Sequence, residues 1–519
     1  MMNRTRRAFL ADVGRGMLLA SVGPALAADM GLARAFAAEE SQRLTFGDRE
    51  PLVSLMEDTP ADKLLPLLVA KLKEGTDLGT LVAAGALANA RCFGGEDYTG
   101  FHSFMALLPS YQMAKELPED RRALPVLKVL YRNTNRMQEF GGRAKEVLHP
   151  IDAADLPKDA DGEAVREAVR KGDKAAAEAA FAALAKKGPI GEAYNHLQYT
   201  IQDELDVHRV VLSWRAWATL DLVGQEQAHT VLRQSVHFCL DEEAGIKRRN
   251  RQPEIRTVLP KLMDQYKLLG KTPGTRKADD AWVERLAHTV YGIDREKAAD
   301  AVAAALAEGM SPEAVGEAIS LAANRLVLGD PGLRKDQTSP GKPEGSVHGA
   351  SVGVHASDSA NAWRNIARVS NARNTFASLI VGAYHTAGQS GGQNKQLHPL
   401  PEQLEKITAK DGATLLNQCE TAIKERDQAR VAALVQRYGE LSLPERPVFD
   451  LLLRYGVSED GALHAEKYYR TVTEEFAATR PAFRWRQLAA LARVTASEHG
   501  HPAPGVAEAR RLLKVESIG

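Results

Sequence analysis

The chain repeats itself, and this constrains its fold more than any other feature. KEGTDLGTLVAAGALANAR (73–91) lies over AEGMSPEAVGEAISLAANR (307–325), with the shared Glu-Gly and the closing arginine each 234 residues apart. His102 in TGFHSF pairs with His355 in VGVHAS, and Tyr131 in KVLYR with Tyr384 in VGAYH, both at 253. One Pro/Gly-rich insertion, GDPGLRKDQTSPGKPEGS (329–346), accounts for the 19-residue jump. Further on, VLHPI sets His149 over His398 in QLHPL at 249, and DVHRVVLSW sets His208 over His464 in ALHAEKYYR at 256. Ordered self-similarity at a near-constant offset marks a duplicated unit. The expected organisation is a signal segment at 1–37, repeats at 50–245 and 285–500, a basic connector at 246–284 and a tail at 501–519. Two homologous halves are expected to pack about a pseudo-two-fold axis, where an interface site draws equivalent residues from each.

The repeated unit reads as helical. ADKLLPLLVAKLKEG (61–75), EAVREAVRKGDKAAAEAAFAALAKK (163–187) and RQLAALARVTASE (486–498) carry apolar residues at helical spacing among good helix formers. Alternating runs of β-branched residues are almost absent, so the fold class expected is all-α.

At 519 residues, 44% hydrophobic and 26% charged, the chain has the composition of a globular protein of more than one unit. Lysine plus arginine equals aspartate plus glutamate at 67 each, which gives no electrostatic case for nucleic acid or an anionic membrane as partner. Three cysteines, Cys92, Cys239 and Cys419, with no C-x-x-C, exclude a disulfide framework, a thiolate zinc site and a c-type haem attachment.

The N-terminus reads TRRAFL (5–10), followed by an apolar stretch, MLLASVGPALAA (17–28). This resembles the twin-arginine export signal, with small-residue cleavage sites after Ala27 or Ala37. Gly23 and Pro24 interrupt the apolar stretch, which is short for a membrane span. Expected are passage through the twin-arginine machinery, residence in the periplasm or beyond, and a mature form that is soluble and free of the membrane. Cargo of this route is exported folded and is commonly loaded with a cofactor first.

GASVG (349–353) matches the nucleophile elbow G-x-S-x-G. That elbow needs a strand before the serine and a helix after it. Here the stretch follows an insertion in a helical chain, and the first-half counterpart carries Thr99 before its Gly-x-His. The glycines are better read as a loop ending where a helix begins at His355. No H-E-x-x-H, Walker A or G-x-G-x-x-G motif is present.

The recurring histidines carry the chemistry. Neutral imidazole is the commonest protein ligand for zinc, copper and iron, and the duplication pairs His102 with His355 and His208 with His464. These four are the expected ligands of a transition metal or of haem b; His149, His398, His348 and His385 are weaker candidates. Equally, a histidine kept at a helix start can serve packing alone. Trp214, Trp217, Tyr468 and Tyr469 follow the paired histidines and are available to wall such a site.

From GALANAR…TGFHSFMALL and VHRVVLSWRAW, the chain resembles a family of exported bacterial proteins that are helical and duplicated, over most of residues 50–500. It is also distantly similar, in its FH-plus-apolar-helix pattern, to questin oxidase-like proteins, though it lacks their clustered histidine motifs. That resemblance implies oxidative chemistry. The expectation is an exported metal- or haem-dependent oxidoreductase acting on a small molecule, with a zinc-dependent hydrolase or a non-enzymatic helical-repeat scaffold as alternatives.

Overall fold

A computed structural model describes residues 43–338, 342–347 and 351–516. Its regular elements are all helices; among the described residues the only β features are two isolated bridges, Arg276–Met310 and Glu459–Pro502. The all-α expectation is therefore met. The signal segment lies outside the described residues, and no described helix is long and apolar enough to cross a membrane.

The helices that bear on the site are numbered here in chain order. In the first half they are α1 (Leu78–Phe93), α2 (Tyr98–Glu116), α3 (Ala123–Phe140), α4 (Val207–Val223) and α5 (Ala228–Arg248). In the second half they are α6 (Pro312–Leu328), α7 (Val352–Val369), α8 (Ala372–Thr386), α9 (His464–Ala478) and α10 (Trp485–Glu498). α11 (Val506–Leu513) lies in the expected tail and packs back on α3. The repeat edge drawn at 245 falls inside α5, which runs three residues further. The run at 163–187 is two helices, Gly162–Lys171 and Lys174–Lys187. It breaks where Gly172 takes a left-handed φ of 74° and Asp173 caps the next helix through the Ala176 N–H.

α1 and α6, the helices of the first repeat anchor, are buried nearly all round, as a helix at the centre of a large domain must be. Their closing arginines hold earlier helices by charge. Arg91 is fully buried against Glu57, at 2.9 and 2.7 Å, and Arg325 reaches Glu284 at 2.5 Å.

Four helices form a closed ring of packed neighbours: α2 on α4, α4 on α7, α7 on α9, and α9 on α2. Short polar side chains start three of them. Asp97 accepts from the Gly100 N–H at 2.7 Å, Asp206 from the His208 and Arg209 N–H groups at 2.7 and 3.0 Å, and Ser351 from the Val354 N–H at 3.1 Å. α9 has no side-chain cap; it starts after Ala462 and Leu463, both left-handed at φ 47° and 68°. Such a conformation in non-glycine residues costs on the order of 1–3 kcal/mol each and clusters at functional sites.

Candidate functional site

The four paired histidines meet. Each lies in the first turns of one ring helix: His102 in α2, His208 in α4, His355 in α7 and His464 in α9. Their ring centroids follow the helix order, with His102–His208 at 4.7 Å, His208–His355 at 5.6 Å, His355–His464 at 5.4 Å and His464–His102 at 5.0 Å. Residues up to 362 apart in sequence thus share one cluster, and two of the four, His102 and His355, stand in a Gly-x-His at a helix start. Gly100 seats the start of α2 on Phe93, and Gly353 seats that of α7 on the backbone of α6; a β-carbon at Gly353 would stand 2.5 Å from the Val327 nitrogen.

Two of the rings are held through Nδ1, and one pair of Nε2 atoms meets. His102 Nδ1–H donates to the Tyr98 carbonyl at 2.7 Å, and His464 Nδ1–H to the Ala462 carbonyl at 3.0 Å. The left-handed residues before α9 put the Ala462 carbonyl within that reach. His208 Nδ1 stands 3.4 Å from Asp206 Oδ1. The two carbonyl contacts select, for His102 and His464, the tautomer with the lone pair on Nε2. The Nε2 atoms of His102 and His208 are buried without a hydrogen-bond partner, and that of His355 lies 3.3 Å from that of His464.

Burial dominates the electrostatics. It drives His102 far below the ordinary histidine range and His355 down to about 3, with the Lys467 ammonium the next influence on both. Burial likewise lowers His385 to about 4 and Lys467 to about 8. Neutral imidazoles are the ligand form. A metal ligand characteristically donates its second ring N–H to a carbonyl or carboxylate, as His102 and His464 do. Two nitrogens about 2.0–2.1 Å from a tetrahedral ion stand about 3.3–3.4 Å apart, the spacing of His355 and His464. Among the described residues no group of three or more histidine, cysteine, aspartate or glutamate side chains is placed to hold a metal ion; the His355–His464 pair alone has a shared-ligand spacing among the contacts of the cluster.

Aromatic rings close the first-half side. Tyr98 and Phe101 lie 4.4 and 5.0 Å from His102, and Tyr98 is 63% exposed, so the cluster lies one ring beneath the surface there. The tryptophans and tyrosines singled out in the sequence do not line it. Trp217 stacks on Tyr194 at 4.5 Å, Tyr469 donates to Glu116 at 2.8 Å, and among the described residues none of the four contacts a cluster ring.

The weaker histidines diverge. His348 lies outside the described residues. His149 is exposed in a loop, where its carbonyl accepts from Arg233 at 2.8 Å. His398 precedes a cis proline and is tied through its N–H to the Leu328 carbonyl at 2.9 Å. The Leu-His-Pro pair thus marks loop structure. His385 accepts from the Trp363 indole at 3.3 Å and is near enough to influence His355 and Asp206. Ser351 caps α7 and donates to Asp330 at 2.6 Å, and α7 starts at Val352, three residues before His355. Among the described residues no strand precedes it, and a buried cap bonded to a carboxylate is not a nucleophile elbow. The three cysteines are buried and free.

Sequence reasoning missed Lys467 and Asp358. Each sits three residues after a cluster histidine, on the same helix face. H-x-x-K and H-x-x-D were the available signals; the first half has Met105 and Val211 at these places. Comparison of the chain with family models, with curated proteins and with solved structures yields no match, so the reading of the site rests on its geometry.

Proposed function

We propose that His102, His208, His355 and His464 hold a transition metal ion, iron or copper before zinc, and that the exported protein is a metal-dependent oxidoreductase. The observation that carries this reading is the convergence of four imidazoles from separate helices, with the Nε2 atoms of His102 and His208 buried without a hydrogen-bond partner and those of His355 and His464 3.3 Å apart. A buried polar atom without a partner costs roughly 1–3 kcal/mol, and a bound ion removes that cost at several of them together. Ring separations of 4.7–5.6 Å favour an ion over haem b, whose macrocycle has no room between rings in mutual contact.

Bound there, iron or copper supplies one-electron chemistry towards dioxygen, and zinc would supply Lewis acidity instead. The chain's own groups have separate roles. The Tyr98 and Ala462 carbonyls fix the His102 and His464 rings, burial keeps His102 and His355 unprotonated, and Tyr98 and Phe101 limit water on the open side. The halves are read as copies about a pseudo-two-fold axis, supported by the matched helices α1/α6, α2/α7 and α4/α9 and by the paired arginines. The twin-arginine signal supports export of a protein already folded around its ion.

Elemental analysis with a visible spectrum, made on protein exported through its own signal, tests this. About one iron, copper or zinc per chain is expected, removed by exchanging His102 and His355 together to alanine and retained when His149 or His398 is exchanged. A Soret band would replace the ion with haem. A colourless, metal-free protein overturns the proposal.

A further inference from the structure

Lys467 is 2% exposed and follows His464 by one turn of α9. Among the described residues no carboxylate oxygen lies within ion-pair distance of its ammonium. The acid that acts on it most is Asp358, one turn after His355 on α7, and that carboxylate accepts from the Thr471 hydroxyl at 2.8 Å. Glu466, its neighbour in sequence, is engaged 2.7 Å away by Lys128. The other buried cation nearby, Arg215, stands 3.7 Å from Glu474. The Lys467 charge thus has no dedicated partner. It lies buried one turn from His464 on α9, the helix that packs on both α2 and α7, and its charge bears on His102 and His355 from opposite halves.

A buried, unpaired ammonium costs several kcal/mol unless something completes it. Here it adjoins two unpartnered Nε2 atoms and the N-terminal ends of four helices, each of which favours negative charge. We infer that the cluster admits a small singly charged anion, such as a carboxylate group of the substrate, and that Lys467 is the positioning residue holding it beside the histidines. This rests on the same cluster as the proposed metal site but on a different group, so the two readings fail separately.

Azide serves as the probe, followed by its infrared stretch at neutral pH, with metal content measured on the same samples. Saturable binding is expected in the wild-type protein. K467M should weaken it at least about tenfold, a loss of about 1.4 kcal/mol, with metal content unchanged, whereas K467R keeps it and D358N strengthens it. If K467M does not fold, the wild-type protein still decides: formate should displace azide and its neutral near-isostere formamide should not. Azide binding that is equal in K467M, or displaced as well by formamide, overturns the inference and leaves the metal reading standing. Should the protein hold no metal, the metal reading falls; Lys467-dependent azide binding would then support this inference alone, and no azide binding would overturn it.

Discussion

Gly353→Ala tests how the cluster is assembled. The added methyl would lie 2.5 Å from the Val327 nitrogen and 2.6 Å from both Leu326 C and Val327 Cα, all backbone atoms of α6. Restoring an ordinary contact of about 3.4 Å requires the first turn of α7 to retreat by about 0.9 Å, and overpacking of this kind costs about 1–3 kcal/mol. Alanine returns about 0.5–1 kcal/mol of helix propensity, leaving a net loss of about 1–2 kcal/mol. His355 lies two residues further on, so it moves with the turn, and a metal set tolerates about 0.5 Å of misplacement. Chemical unfolding should show the stability loss, and elemental analysis a drop in bound metal larger than that loss explains. Gly191→Ala is the control. It lies in the helix Ile190–Ile201 with open space around its missing β-carbon, and should gain about 0.5–1 kcal/mol. Were G353A as stable and as metal-rich as the wild type, the close approach of α7 to α6 would not be what sets the cluster's geometry.

Three further outcomes are expected. Ser351→Ala removes a cap and a buried hydrogen bond to Asp330, costing about 1–2 kcal/mol in urea unfolding, and the wild-type protein should resist labelling by a serine-directed fluorophosphonate; labelling at Ser351 would restore the nucleophile. Arg91→Met leaves Glu57 short of its main partner in a site with no exposure and should cost about 3–5 kcal/mol. Arg143→Ala breaks an exposed pair with Asp58 and should cost at most about 1 kcal/mol; equal effects would refute the burial argument. Burial lowers His229 to about 4, so the unfolded chain takes up its proton first as pH falls. Its contribution is therefore complete above about pH 6.5, is lost progressively below it, and amounts to about 2 kcal/mol lost by pH 5. Urea midpoints at pH 7 and pH 5 should differ by that much less in H229Q, and an unchanged difference would remove His229 as the cause.

How much was legible depended on the range of the interaction responsible. The repeat anchors are local strings, so His102, His208, His355 and His464 were separable from the other histidines by alignment of the chain with itself. Ser351 shows the limit: G-x-S-x-G and a helix cap share the same local residues, and only the helix after it, without a strand before, tells them apart. Leu-His-Pro recurs as faithfully as Gly-x-His, yet His149 ends exposed and His398 beside a cis proline, because duplication copies turns as well as ligands. Lys467 lay in plain view at a one-turn spacing, but a lysine on an amphipathic helix is ordinarily solvated, and nothing local indicates that it is buried once α9 packs on α2 and α7.

By itself the amino-acid order determined helix after helix and the recurring strings that single out four histidines, since propensity and self-similarity act within a few turns of chain. Tertiary structure alone decided that two first-half and two second-half helices close one ring, that four imidazoles meet in one cluster rather than in four separate cores, and that an ammonium is buried one turn from them without a dedicated counter-ion. Those outcomes depend on which helix faces meet, and that is set by burial summed over the whole domain and by close approaches such as Gly353 on α6, which no window of sequence contains.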